Sequence, residues 1–87
     1  MNQAIIINDD MTWNKNAERV EFSAMCAGAI VTCQLSSQYL IKKGLEIETN
    51  PDEILKYCES IAFDIEEDTQ QAIDNEEHID QTLLILT

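Results

Sequence analysis

Residues 19–35 read RVEFSAMCAGAIVTCQL, and the alternation of apolar and polar side chains in this stretch decides the fold. If Ala27 and Gly28 form the turn of a β-hairpin, one face collects only apolar side chains, at positions 20, 22, 24, 26, 29, 31, 33 and 35. A slip of one residue would mix the two faces, so the pattern predicts both the hairpin and its register. Ala27 suits a type I′ turn poorly, which leaves a longer or bulged turn as an alternative.

Short elements flank this hairpin. A β-branched run over residues 4–7 predicts a strand before it, and the polar residues 11–16, with Trp13 among them, predict a loop. Residues 36–44 predict a short helix, and residues 82–86 predict a last strand.

The longest predicted helix begins after Asn50, a good N-cap, with Pro51 at its first position. Apolar residues then recur at helical spacing from Ile54 to Ala72, and this stripe should face the sheet. Phe63 lies off the stripe, so either the helix bends or breaks beside it or Phe63 lies on the acidic side. The element order β-β-β-α-α-β predicts a two-layer α+β fold, with a mainly antiparallel sheet and helices packed on one face.

The length and charge limit the classes of function. A chain of 87 residues predicts a single domain, 1–87. The net charge is −12 and belongs to residues 46–87, which hold thirteen acids and one base, whereas residues 1–45 are neutral. Such a surface repels phosphate, which argues against direct binding to nucleic acid or to an anionic membrane.

An acidic cluster stands out in the long helix and comprises Asp64, Glu66, Glu67 and Asp68. The cluster lacks the spacing and the glycine of a calcium-binding loop, and its side chains point in several directions around a helix. A solvated helix face is the plain interpretation. A docking surface for a basic protein is the alternative.

Catalytic, cofactor and metal-binding residues are not predicted. Cys26, Cys33 and Cys58 fall on apolar faces and match no zinc spacing, and His78 is the only histidine. In the predicted register, Cys26 and Cys33 lie about 13 Å apart, too far for a disulfide. Two glycines are too few for a phosphate-binding loop. We therefore expect a protein that is not an enzyme and has no cofactor.

The chain shows neither a basic N-terminal region followed by an apolar run nor any apolar stretch of the roughly 18–20 residues that a membrane helix needs. We therefore expect a cytoplasmic protein without a membrane partner.

The face of the sheet away from the helices is the first candidate interface. Met25 and Ile30 lie there, and the unbroken apolar runs 5–7 and 83–86 add further side chains, which predicts a contiguous apolar patch. Phe63 is a further interface candidate. Trp13 either caps the edge of the core or is exposed for recognition.

Three hypotheses of function follow from these features. The first is an interaction or regulatory protein that forms a homodimer through the outer face of the sheet. The second is an acidic partner of a basic nucleic-acid-binding protein. The third is a small ligand-binding protein or enzyme with a pocket near Trp13 and His78.

Several short motifs, in their order along nearly the whole chain, resemble the bacterial DUF1488 family of unknown function. The N-terminal motifs are Met1-Asn2-Gln3-Ala4-Ile5-Ile6, Trp13 and Val20-x-Phe22-x-Ala24, and the later ones are Gly28, Thr32-Cys33-x-Leu35-Ser36 and Phe63-Asp64-Ile65-Glu66-Glu67. Ala27 and the absence of a glycine near Gln81 depart from the pattern. The resemblance implies a small stand-alone bacterial α+β protein and offers no catalytic residues.

Overall fold

The computed structural model describes residues 5–26, 28–46, 50–75 and 83–87. The strands within these ranges are β1 (Ile5–Ile7), β2 (Thr12–Asn14), β3 (Arg19–Cys26), β4 (Ala29–Leu35) and β5 (Leu83–Leu86). The helices there are α1 (Ser37–Lys42), α2 (Pro51–Ser60) and α3 (Ala62–Asp74). The α+β prediction is confirmed, and β2 corrects the prediction of a loop at that position.

The hairpin of β3 and β4 forms the centre of the sheet, in the predicted register. Phe22 pairs with Cys33 and Met25 pairs with Ile30. β1 and β2 share the other edge of β3, and both run antiparallel to it. β5 pairs with β4 in parallel, so the sheet is mainly antiparallel with one parallel pair.

The inner face of the sheet forms the core with the helices. Alternate residues of β3 are buried, as the sequence pattern predicts for a sheet covered on one side. The buried apolar residues that the helices add are Tyr39, Leu40, Ile54, Cys58, Ile65, Ala72 and Ile73. Trp13 is partly buried and packs against this core from the edge of the sheet.

Local signals fix the ends of the helices. Ser36 Oγ accepts a hydrogen bond from the Tyr39 N–H at 3.1 Å, and Asn50 Oδ1 accepts one from the Asp52 N–H at 2.9 Å. Gly44 follows α1 with φ +111°, a backbone conformation that residues with a Cβ rarely adopt. A Cβ at this position would also lie 2.9 Å from Tyr57 Oη.

The predicted long helix is two helices. Ile61 separates α2 from α3 with φ −115° and ψ 27°, values outside the helical range. Phe63 lies just after this break, with 87% of its surface exposed. The expected turn at 76–81, including His78, and the first residue of the expected strand at 82–86 lie outside the described residues.

Candidate interaction surfaces

The outer face of the sheet has a polar centre, beside the gap between β1 and β2. Ser23 faces this gap, and its N–H and Oγ donate hydrogen bonds to the Asp10 carboxylate at 2.9 and 2.5 Å. Asn8 Nδ2 donates to Ser23 Oγ at 2.8 Å. The hydrogen bonds from Ser23 lower the pKa of Asp10. The Asp10 side chain thus takes the place of a neighbouring strand.

A second polar group lies farther along the same face. Glu21 Oε1 accepts hydrogen bonds from Gln34 Nε2 at 3.0 Å and from Asn14 Nδ2 at 2.9 Å, which lower the pKa of Glu21. Arg19 Nη1 donates to Gln34 Oε1 at 3.2 Å. These polar groups correct the expectation of one contiguous apolar patch, because alternation along β3 puts charged side chains at two outer positions.

Apolar side chains occupy one end of the outer face. Ile6 pairs with Met25, and Met25 pairs with Ile30, so the three side chains form a row across β1, β3 and β4. The exposed fractions are 58% for Ile6 and 61% for Ile30, and Met25 is half-buried. We refer to these three residues as the outer apolar row.

The acidic helix carries an exposed aromatic side chain. Glu66 and Glu67 follow Phe63 by three and four residues on α3, so all three share one helix face, and all three are exposed. We refer to them as the Phe63 surface. Asp64 is also exposed.

Asp68 does not belong to that exposed surface. Its Oδ2 lies 2.8 Å from Lys43 Nζ and accepts a hydrogen bond from Tyr39 Oη at 2.6 Å. This carboxylate therefore joins α3 to α1, and the docking of a partner at Asp68 stays a prediction.

Cys26, Cys33 and Cys58 are buried and form no disulfide, and the register predicts this for Cys26 and Cys33. Burial raises the pKa of Cys33 to about 12 and that of Cys58 to about 11, so both thiols are neutral at physiological pH. Across the described ranges, no group of three or more His, Cys, Asp or Glu side chains is arranged to hold a metal ion. Among the same residues, no helix has the length and apolarity to cross a membrane.

A cleft of about 140 Å³ lies at the end of the sheet beside Trp13. Its apolar lining comprises Trp13, Val20, Leu35, Leu40, Ile41, Leu45 and Ile54. The polar and charged residues of the lining are Ser37, Glu18, Arg19 and Glu46. Trp13 was predicted at a pocket, but the other lining residues were not, since they come from five separate segments. Leu45, an apolar residue directly after the Gly44 that ends α1, was the available signal.

Glu18 has an unusual backbone conformation at this cleft. It ends the turn between β2 and β3 with φ +53°, in the left-handed region that glycine prefers. Asn14 Oδ1 stabilises the turn by accepting a hydrogen bond from the Ala17 N–H at 2.9 Å. A left-handed residue with a Cβ costs roughly 1–2 kcal/mol.

Replacement of Glu18 by glycine is therefore expected to stabilise the fold by about 0.5–1 kcal/mol, because the strain is removed and only part of the gain is lost to chain entropy. Urea denaturation of both proteins measures the difference. Ala17→Gly is the control, since Ala17 has no positive φ. Equal effects of the two substitutions would contradict strain at Glu18.

The chain is similar to known proteins in both sequence and structure. A sequence model described as protein of unknown function (DUF1488) matches residues 5–86. A search of curated proteins returned no match. The crystal structure of a protein of unknown function from the DUF1488 family of Shewanella loihica PV-4 superposes with a TM-score of 0.86. Its sequence is 28% identical, and the match covers 99% of this chain and 94% of that chain. The chain belongs to the DUF1488 family.

Proposed function

We propose that this protein is a small, non-enzymatic, cytoplasmic bacterial interaction module that forms a weak homodimer through the outer apolar row. The observation that carries the proposal is the row itself, in which Ile6, Met25 and Ile30 lie side by side on adjacent strands with both isoleucines mostly exposed. Apolar side chains grouped in this way are typical of an interface.

The geometry of the row suits a two-fold contact. A two-fold axis that is parallel to β3 and lies outside the sheet, over Met25, sets Ile6 of one copy against Ile30 of the other, so the same row serves both copies. Three side chains bury far less than the roughly 1,000 Å² of a stable interface, so the dimer is weak, with a dissociation constant in the micromolar range or above. The outer residues of β3 and β4 next to the row, Ser23 and Thr32, are uncharged, and Ser23 is bonded to the Asp10 carboxylate.

The titratable groups support a non-enzymatic role. The side chains with the largest pKa shifts are Cys33, Cys58 and Tyr39, and their exposed fractions are 0%, 0% and 3%. The acids with lowered pKa values, Asp10, Glu21 and Asp68, are each held in side-chain hydrogen bonds. The exposed titratable side chains are therefore better suited to contact with a partner protein than to proton transfer.

Sedimentation equilibrium tests the homodimer. We expect wild-type protein to shift from monomer to dimer between about 10 μM and about 1 mM, and Ile30→Lys to weaken the dimer at least ~10-fold. Ile41→Lys is the matched control, because Ile41 is 57% exposed but lies on α1, away from the row. A wild-type protein that stays monomeric at about 1 mM would refute the dimer.

The exposure of Phe63 favours a second candidate, an acidic partner of a basic nucleic-acid-binding protein. Phe63 is 87% exposed and lies one helical turn before Glu66 and Glu67, so this surface combines an apolar anchor with negative charge, the complement of a basic protein surface. Binding of this kind weakens as ionic strength rises. Pull-down from bacterial extract at increasing salt, with wild type and Phe63→Ala, tests it. Basic proteins retained equally by both would contradict the role of Phe63.

A further inference from the structure

We infer that the cleft beside Trp13 binds one large apolar side chain from a basic segment of a partner protein. This inference rests on the proposed function only in assuming that the protein binds other proteins. The cleft and the outer apolar row are separate surfaces, so each can be tested without the other.

The volume of the cleft sets the size of its occupant. A cavity of about 140 Å³ is close to the roughly 150 Å³ apolar cavity that accepts a benzene ring. One phenylalanine or leucine side chain therefore fills it.

The walls of the cleft are apolar down to the core. Its floor includes Val20 and Leu35, whose exposed fractions are 0% and 1%, and Trp13 forms one wall. An apolar side chain that enters loses contact with water on most sides, which is the environment of an interface hot spot. Ile41, which is 57% exposed on α1, extends the apolar surface to the outside of the cleft.

The charges around the cleft select a basic segment. Glu18, Arg19 and Glu46 are the charged lining residues. Arg19 Nη1 donates a hydrogen bond to Gln34 Oε1, and the two acids Glu18 and Glu46 outnumber this one cation, so the lining carries a net charge of −1. The net charge of −12 adds a long-range attraction for a cationic partner. Lysine or arginine residues on both sides of the anchor match this pattern.

The strained backbone at Glu18 is an independent observation at the same place. A non-glycine residue in the left-handed region is strained, and strained residues cluster at binding and active sites, where function retains the strain. The strain places a glutamate at the cleft where glycine or asparagine would fold more easily.

The small volume favours a peptide segment over a free small molecule. A free occupant of about seven non-hydrogen atoms gains only the contacts that the cleft itself supplies. A segment adds backbone contacts and flanking charges to the same anchor. The occupant is therefore a side chain that belongs to a longer basic chain.

The chain contains a single tryptophan, Trp13, so its fluorescence reports directly on the cleft. We would titrate the protein with three synthetic pentapeptides at low salt: Lys-Lys-Phe-Lys-Lys, Lys-Lys-Ala-Lys-Lys and Glu-Glu-Phe-Glu-Glu. The first is expected to shift Trp13 fluorescence saturably and to bind at least ~10-fold more tightly than the second. The third is expected to give no saturable shift.

Two variants locate the binding and separate it from dimerisation. Ile41→Lys adds a positive charge beside the cleft. It is expected to lower the affinity for the phenylalanine peptide at least ~10-fold, while the dimer persists. Ile30→Lys is expected to leave peptide binding unchanged while the dimer is lost. Because both isoleucines are mostly exposed, neither substitution threatens the fold.

Equal binding of the phenylalanine and alanine peptides would overturn the inference, since it would show attraction by charge alone. The absence of a saturable shift with any peptide, or an undiminished affinity in Ile41→Lys, would overturn it as well. A monomeric wild-type protein that still binds the phenylalanine peptide would refute the dimer and support the cleft.

Discussion

Replacement of Phe22 by alanine is expected to lower the free energy of unfolding by about 3–5 kcal/mol. Phe22 is 2% exposed and is among the largest fully buried side chains, at the centre of β3 and opposite Cys33. The substitution removes apolar contacts and leaves a cavity that the strands on either side prevent from closing. The total stability of a chain of this length is about 4–13 kcal/mol, so the loss is a large fraction of it.

Met25→Ala is the matched control for this substitution. Met25 lies three residues further along the same strand, on the outer face, and is half-buried. Because its loss leaves no enclosed cavity, we expect a cost of about 1 kcal/mol or less. Urea denaturation followed by circular dichroism measures both. Equal losses would contradict the assignment of the two faces of the hairpin.

The hairpin was predictable because the alternation of apolar and polar side chains in residues 19–35 is sufficient to determine its register. β2 was not predictable, since its three residues, Thr12–Asn14, have no apolar alternation. This strand forms because β1 ends at Ile7 and leaves the edge of β3 open from Glu21 to Arg19. Its existence is therefore a consequence of tertiary pairing.

The sequence predicted the helix break at Ile61 only as one of two alternatives. The apolar stripe continues on both sides of it, from Cys58 to Ile65, and neither glycine nor proline marks the position. The only signal was the position of Phe63 off the stripe. It predicted either a break in the helix or a Phe63 exposed on the acidic side. The structure shows both.

The candidate sites were predictable to different degrees. Alternation alone assigned Met25 and Ile30 to the outer face, but Ile6 joins them only through the register of β1 on β3. Trp13 was a candidate from its residue type. Its neighbours Glu18 and Glu46 at the cleft are 28 positions apart, and a single sequence carries no information about such contacts.

Replacement of Asp68 by alanine is expected to destabilise the protein by about 1–3 kcal/mol at neutral pH. Tyr39 is 3% exposed, and its hydroxyl donates to Asp68 Oδ2 at 2.6 Å, so the substitution leaves a buried donor without this acceptor. Lys43 loses its ion-pair partner as well. Asp68→Asn retains a side-chain oxygen for Tyr39, and we expect it to cost less than Asp68→Ala.

The cost of Asp68→Ala is expected to depend on pH, with a sign set by the pKa of Asp68. Burial raises this pKa, but the hydrogen bonds from Lys43 and Tyr39 outweigh burial, so the net shift is downward. A carboxyl group with a lowered pKa stabilises the fold above its unfolded pKa, and this contribution is lost as pH falls through the folded value. The advantage of wild type over the variant should therefore shrink below about pH 4.

Glu67→Ala is the control that isolates the network from general charge repulsion. Glu67 is exposed on α3 directly beside Asp68, and its removal changes the net charge of −12 by the same amount. We expect an effect within about 0.5 kcal/mol, in contrast to the loss at Asp68. Thermal denaturation of all four proteins from about pH 3 to pH 7 gives both comparisons. If Asp68→Ala matched Glu67→Ala at every pH, the carboxylate would not join α3 to α1, and Asp68 would return to the acidic surface as a docking residue.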